Sequence, residues 1–330
     1  MTWLVTGGAG FIGAHVVHAL HAAGEQIVVL DDLSTGVPER IAGVEDVPLV
    51  TGSVQATSLV AQLLRDYEIS GVVHIAAKKQ PGESVENPLL YYRENIGGLE
   101  SLLRAMSEVG VDSLVFSSSA STYGNQDTDV LTEDAICRPE SPYGETKLVA
   151  EWLIADVARV SGLRYVNLRY FNAAGAARPE LADTGAFNLI PMVFESLTAG
   201  KAPRIFGDDY PTPDGTTIRD YIHVADIASA HVAAARHLAS GADARHVLNV
   251  GTGRGSSTRE IVEAILEVSG HTELTPEVHP RRAGDPAVSI ASAERIARVL
   301  GWSAQHDMRA IVADAWEGWL FHHPEARRET

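Results

Sequence analysis

The chain has 330 residues, 45% hydrophobic and 21% charged, which supports a sizeable core in about two domains of ~150 residues and excludes disordered and fibrous architectures. A net charge of −17 and a pI of about 5.1 exclude a broadly basic face for nucleic acid or anionic membrane, so an anionic ligand requires a local basic pocket. The one cysteine, Cys137, closes no intramolecular disulfide, Met1–Thr6 carries no charged leader, and no apolar run reaches the ~20 residues of a membrane span. A cytoplasmic protein is expected.

From Trp3 to Phe171 short β-rich runs alternate with longer helical stretches, the pattern of a doubly wound parallel sheet of the Rossmann type. The first strand, Trp3–Thr6, runs into Gly7-Gly8-Ala9-Gly10-Phe11-Ile12-Gly13 and a helix over Gly13–Ala23. The glycines read as Gly8-x-Gly10-x-x-Gly13 or as Gly7-x-x-Gly10-x-x-Gly13. Either spacing lets backbone N–H groups approach a pyrophosphate above the positive end of a helix. The second strand, Ile27–Leu30, delivers Asp31 eighteen residues past Gly13, where a carboxylate hydrogen-bonds a ribose diol. Asp32 beside it, with no arginine following, repels a 2′-phosphate, so NAD is expected over NADP.

Strands over Val47–Val50 and Gly71–Ala76 follow, with a helix over Thr57–Tyr67 between them, and one long helix over Pro88–Val109 leads to the fifth strand, Ser113–Ser118. Ser117, Ser118 and Ser119 stand at the strand end where ligands of such sheets bind; Ser119 is assigned to the reacting atom, while the other two also suit local bonds that end a strand. The segment lacks the Gly-x-Ser-x-Gly elbow of a serine hydrolase. Ser141-Pro142 starts a helix over Pro142–Val160 that carries Tyr143 and Lys147 four residues apart on one face. A free phenol titrates near ~10, so a base at neutral pH requires roughly 4 kcal/mol of preferential phenolate stabilisation. An ammonium about 4 Å away supplies about that much at an effective dielectric near 20, and Lys147 is its expected source.

Tyr165–Leu168 is the sixth strand. Beyond Phe171 the regularity breaks into loops, including the Pro/Gly/Asp-rich stretch Phe206–Gly215, before a helix over Tyr221–Leu238 and a strand over Arg245–Val250. The expected organisation is an NAD-binding domain over 1–172 and a smaller α/β substrate-binding region over 173–330, with segments around 216–250 returning to the first.

The motifs Thr6–Gly13, Asp31–Ser34, His74–Lys79, Phe116–Gly124, Tyr143–Lys147, Leu168–Asn172 and Arg219–Val224 together resemble the extended short-chain dehydrogenase/reductases over nearly the whole chain, and within them the UDP-sugar 4-epimerases. Residue by residue, the resemblance implies NAD contacts from Gly7, Gly10, Phe11, Ile12, Gly13, Asp31, Asp32, Leu33, Ser34, Thr35, Gly36, Ser53, Val54, Ile75, Ala76, Ala77, Lys79, Asn95, Ser117, Tyr143, Lys147 and Phe171. It implies substrate contacts from Ser119, Tyr143, Asn172, Asn188, Leu189, Phe206, Arg219, Arg282, Asp285 and Ser289. Arg219 and Arg282 suit a diphosphate through bidentate guanidinium groups, or else pair with the neighbouring Asp220 and Asp285; Phe206 suits either stacking on uracil or a place in the core.

The implied activity is reversible C4 epimerisation of UDP-glucose and UDP-galactose through a 4-keto intermediate, with NAD tightly bound. Ionised Tyr143 takes the C4 hydroxyl proton, Ser119 hydrogen-bonds that oxygen, and Lys147 keeps Tyr143 ionised and holds the nicotinamide ribose. UDP-N-acetylhexosamines, UDP-pentoses and UDP-uronic acids stay open as substrates, as does a non-catalytic NAD-binding regulator. The resemblance also implies a homodimer through the helices Pro88–Val109 and Pro142–Val160, and no metal, nucleic-acid or membrane partner. Three positions depart from relatives. Ser53 stands where relatives place an aspartate against adenine. Ser289, in the stretch starting at Gly284, stands where members restricted to unacetylated sugars carry tyrosine, which implies room for an N-acetyl group. Ala120-Ser121 replaces the Asp-Glu of the 4,6-dehydratases, leaving no acid and base for elimination.

Overall fold

The apolar runs of the first half form strands because alternate residues find different helix layers to bury against. Trp3, Val5, Val73, Val115 and Val166 pack on one side of the sheet; Leu4, Val72, Leu114 and Phe116 pack on the other. In the computed structural model, which describes residues 1–185, 188–242, 244–282 and 285–327, seven strands build this sheet: β1 (Thr2–Thr6), β2 (Gln26–Asp31), β3 (Leu49–Thr51), β4 (Gly71–His74), β5 (Ser113–Ser119), β6 (Arg164–Tyr170) and β7 (Arg245–Val250). They lie parallel in the order β3-β2-β1-β4-β5-β6-β7. The order reverses between β1 and β4, the switch point at which doubly wound sheets open a ligand crevice.

Eight longer helices flank the two cores: α1 (Phe11–Ala22), α2 (Thr57–Asp66), α3 (Gly98–Val109), α4 (Pro142–Ser161), α5 (Leu189–Thr198), α6 (Val224–Ala239), α7 (Thr258–Ser269) and α8 (Met308–His322). Helices α1 and α6 bury Val16, Val17, Leu20, Ala234 and Leu238 on one face of the sheet. On the other, α2, α3 and α4 bury Leu64, Leu102, Met106 and Ile154. A separate core of Phe194, Ile265, Ile311, Trp316 and Trp319 joins α5, α7 and α8 in the second region. That region also holds short sheets, one of which aligns Ile218–Arg219 with Val288–Ser289 in parallel register. Among the described residues no helix is long and apolar enough to cross a membrane.

Two expected elements differ from those observed. The long helix over Pro88–Val109 is three pieces: an α-turn over Pro88–Tyr91, a π-turn over Tyr92–Gly97 and then α3. The expected helix over Tyr221–Leu238 begins as a strand, Tyr221–His223, paired in parallel with Asn172–Ala174. Alanine content marked the helix, but the bonds from Asn172–Ala174 extend its first three residues, and the His223 ring then caps α6 by accepting from Ala225 N–H at 2.9 Å. Gly284 lies outside the described residues.

At Gly7 and Gly13 the first turn leaves no room for a side chain. A Cβ on Gly13 would lie 1.9 Å from the Gly7 carbonyl oxygen, and one on Gly7, itself at φ 73°, would lie 2.7 Å from Ala76 N. Gly13→Ala is therefore expected to cost about 3 kcal/mol in urea unfolding, whereas Gly82→Ala, whose methyl meets nothing within 4 Å, leaves the midpoint close to that of the parent.

Candidate active site

All seven parallel strands end at one edge, so the turns that follow them converge. After β1 the glycine turn enters α1, whose N-cap, Gly10, has no side-chain cap and whose first turn holds no acid; such an end favours an anion. After β2, Asp31 is buried and accepts from Ala9 N–H and Leu33 N–H, each at 2.9 Å. Both carboxylate oxygens thus brace the glycine turn and each keeps a lone pair for a hydroxyl. Asp32 accepts from Ser34 N–H at 2.9 Å, and a Cβ on Gly36 would lie 2.6 Å from Asp31 Oδ1. Ser53 Oγ, past β3, accepts from Gln55 N–H at 3.2 Å. After β4, Ile75 N–H and Ala76 N–H both donate to Thr6 O at 3.1 Å, and Lys79 Nζ lies 3.7 Å from Asp183 and 5.9 Å from the Phe11 ring. A turn closed to a Cβ at Gly7 and Gly13, an uncapped helix end and a buried carboxylate at the next strand fit a dinucleotide.

Two residues expected at the cofactor have structural partners. The amide of Asn95, on the π-turn, donates to Lys78 O at 3.1 Å and Thr146 Oγ1 at 3.0 Å while Oδ1 accepts from Lys78 N–H at 2.8 Å. It clamps the β4 turn to α4. Ser117 Oγ bonds His231 Nε2 at 2.9 Å. His231 Nδ1 lies 2.9 Å from Ile227 O, and a carbonyl only accepts, so Nδ1 carries the proton and Ser117 donates to Nε2.

Helix α4 starts as its sequence signals: Pro142 opens it and Ser141 Oγ accepts from Gly144 N–H at 3.3 Å. Its first turn brings Tyr143 to the end of β5, where Ser119 stands near enough to favour the ionised phenol. Ser119 Oγ also accepts from Ser121 N–H at 3.1 Å. Lys147 shares the helix face of Tyr143, as the spacing predicts, and is anchored on the strand. Its Nζ donates to Ser117 O at 2.8 Å and lies 5.0 Å from the Phe116 ring centroid and 6.0 Å from that of Tyr143. The i,i+4 spacing puts both side chains on one face, but the lysine stem reaches back to the strand carbonyl. Burial therefore governs both groups: it pushes the Tyr143 phenol up, with Ser119 opposing, and draws the Lys147 ammonium down to about 8, with Glu151 opposing.

Across the crevice, Arg219 is aligned with Ser289. Its guanidinium donates to Ile218 O at 2.9 Å and approaches Asp285 only to 3.9 Å. Asp220 is no partner for it, being buried and accepting from Thr252, Gly253 and Ala291 N–H groups. The Arg282 guanidinium lies 4.1 Å over the Phe206 ring, whose other neighbour is His279 at 5.6 Å. Asn188 and Asp183 line an apolar cavity together with Phe11 of the glycine turn and Tyr221, and Leu189 follows Asn188 at the start of α5.

A family model described as the NAD dependent epimerase/dehydratase family matches residues 3–251. The chain belongs to that family. It is 45% identical to a UDP-glucose 4-epimerase of Azospirillum brasilense over 95% of this chain and 91% of that one. Among solved structures it resembles a UDP-glucose 4-epimerase from Stenotrophomonas maltophila with bound NAD and formylated UDP-arabinopyranose, at 40% identity and a TM-score of 0.92, covering 98% of this chain and 99% of that one. It also resembles a UDP-Glc/GlcNAc 4-epimerase from Campylobacter jejuni, at 37% identity and a TM-score of 0.85, covering 96% and 98%.

For a member of the epimerase/dehydratase family, two contributors escaped the sequence reading. Tyr221 lines the apolar cavity and is paired with Asn172 in the short sheet, within the electrostatic reach of Arg219, Arg282 and Asp285; its position directly after Arg219-Asp220 was the available signal, masked by the helical reading. His231 sits on an alanine-rich helix with no chemical neighbour in sequence, so only the packing of α6 on β5 reveals it.

Three buried imidazoles near this edge are held neutral: burial draws His15 and His231 down to about 4, and burial reinforced by Lys147 draws His74 down to about 3. Between pH 6.5 and about 4 the unfolded chain binds protons that the folded one refuses, so folding stability should rise with pH across that window. Acidification through it should cost several kcal/mol, because each imidazole that stays neutral loses about 1.4 kcal/mol for every pH unit below its unfolded value. Thermal unfolding from pH 7 to 4 measures this, and an unfolding temperature flat over that range contradicts it.

Proposed function

We propose that the chain interconverts UDP-glucose and UDP-galactose by reversible epimerisation at C4, with NAD held in the crevice. The observation that carries this reading is the placing of Tyr143 at the end of β5, where Ser119 favours its ionised form, on the sheet edge that also holds the glycine turn braced by Asp31. Relatives named UDP-glucose 4-epimerase at 38–45% identity support it. Gly7, Gly10 and Gly13 would cradle the pyrophosphate, and Asp31 the adenosine ribose. Bound NAD supplies the acceptor and donor of the C4 hydride, and its nicotinamide charge adds to that of Lys147 in favouring a phenolate.

Tyr143, once ionised, takes the proton of the C4 hydroxyl and later returns one, with Ser119 holding the oxygen between them. The positive charge that Lys147 holds in a buried setting keeps the phenolate from being reprotonated. Arg219 and Arg282 grip the diphosphate, and an anchor at the nucleotide end leaves the hexose free to present its other face. Ala120 and Ser121 offer neither acid nor base, so the 4-keto sugar is reduced again rather than dehydrated.

Incubation with UDP-glucose should yield UDP-galactose on chromatography, approaching the same mixture from either sugar; a UDP-N-acetylglucosamine arm reads the space beside Ser289. Tyr143→Phe should lower turnover by about 10³-fold while UDP binding measured by calorimetry persists, and full activity in that variant would remove the assigned base.

The exposed apolar side chains Leu89, Tyr92 and Trp152 lie on the helical segments at Pro88–Gly97 and α4 and support a homodimer through these helices. Sedimentation should report a dimer, dissociated by Leu89→Lys combined with Trp152→Glu; a monomeric parent protein would refute this.

A further inference from the structure

Beneath the catalytic groups lies a buried charge that the reaction does not touch. Glu151 stands one helical turn beyond Lys147 on α4, and both side chains are buried. Arg169, from β6, donates Nε–H to Glu151 Oε1 at 2.8 Å and a second N–H to Oε2. Ser118, adjacent to Ser119, donates its hydroxyl to the same carboxylate. Arg169 is itself stacked 4.8 Å over Tyr123, whose hydroxyl donates to Asn249 Oδ1 at 2.6 Å. A carboxylate gripped from two strands cannot swing away from its helix.

We propose that Glu151 is a positioning residue of the active site: pinned by Arg169 and Ser118, it supplies the buried negative charge that keeps the Lys147 ammonium ionised against Ser117 O. The proposal rests on the function given above. Burying an ammonium without a counter-charge strongly favours its neutral form, and the other titratable groups around Lys147 do not compensate it. Tyr143 is held protonated by burial, and His74 is neutral. Glu151 acts on Lys147 in the raising direction. Around Glu151 the remaining titratable neighbours, Cys137 and Tyr165, are neutral as well, both pushed up by burial. Arg169, reaching from β6, fixes the carboxylate in place.

The test is direct titration of Lys147, one of four lysines in the chain, by NMR of protein carrying labelled lysine, assigned with Lys147→Met, beside the pH profile of kcat. Glu151→Gln should move the Lys147 titration, and the alkaline limb of kcat, to lower pH by about one unit, with KM for the UDP-sugar within about twofold of the parent. Glu151→Gln/Arg169→Met removes the pair without orphaning the arginine and should show the same displacement if the single variant folds poorly. Ser118→Ala, which keeps the charge, should leave the titration in place. A Lys147 titration unmoved in the folded glutamine variants overturns the proposal, as does a kcat lowered equally at every pH. Absence of epimerase activity in the parent protein would instead overturn the proposed function, and the lysine titration would still decide the role of Glu151.

Discussion

The bond from Lys147 Nζ to Ser117 O, 2.8 Å long and buried, is the constraint on which the site depends. It ties the first turns of α4 to the end of β5, the strand that ends at Ser119. A charged donor away from water makes a strong bond to a carbonyl, and the strand end that it holds is braced on both sides. Ser117 reaches His231 on one face of the sheet and Ser118 reaches Glu151 on the other. Three consecutive serines therefore do three different things because a strand turns alternate side chains to opposite faces and its last residue into the crevice.

The same bond holds the ammonium at the strand carbonyl, in a setting where burial raises the Tyr143 phenol and lowers the Lys147 ammonium. Arg219 approaches Asp285 only to 3.9 Å and Arg282 lies over an aromatic ring, which leaves both guanidinium groups with donors to spare in a chain of net charge −17.

The second region is threaded into the first. After Asn172 the chain leaves the sheet, and it returns through α6 and β7. Asp220 marks the crossing by accepting backbone N–H groups from three positions on two segments. The placement of Arg219 relative to Tyr143 is thus set by buried hydrogen bonds.

Much of this was legible in the sequence. Continuous apolar runs gave strands buried on both faces, the glycines and Asp31 gave a dinucleotide turn, and Ser141-Pro142 gave the start of α4, because each follows from local backbone preference or from a spacing of a few residues. The sequence by itself determined the fold class, and it singled out Ser119, Tyr143 and Lys147 as the residues on which the proposed reaction rests. Only the tertiary structure decided where the lysine points, that Asn95 rides a π-turn as a clamp, that Tyr221 opens on a strand, and that His231 and Glu151 brace β5 from opposite faces. Those outcomes depend on bonds between residues 17 to 114 positions apart, which are fixed by competition for buried partners and leave no periodic trace in the chain.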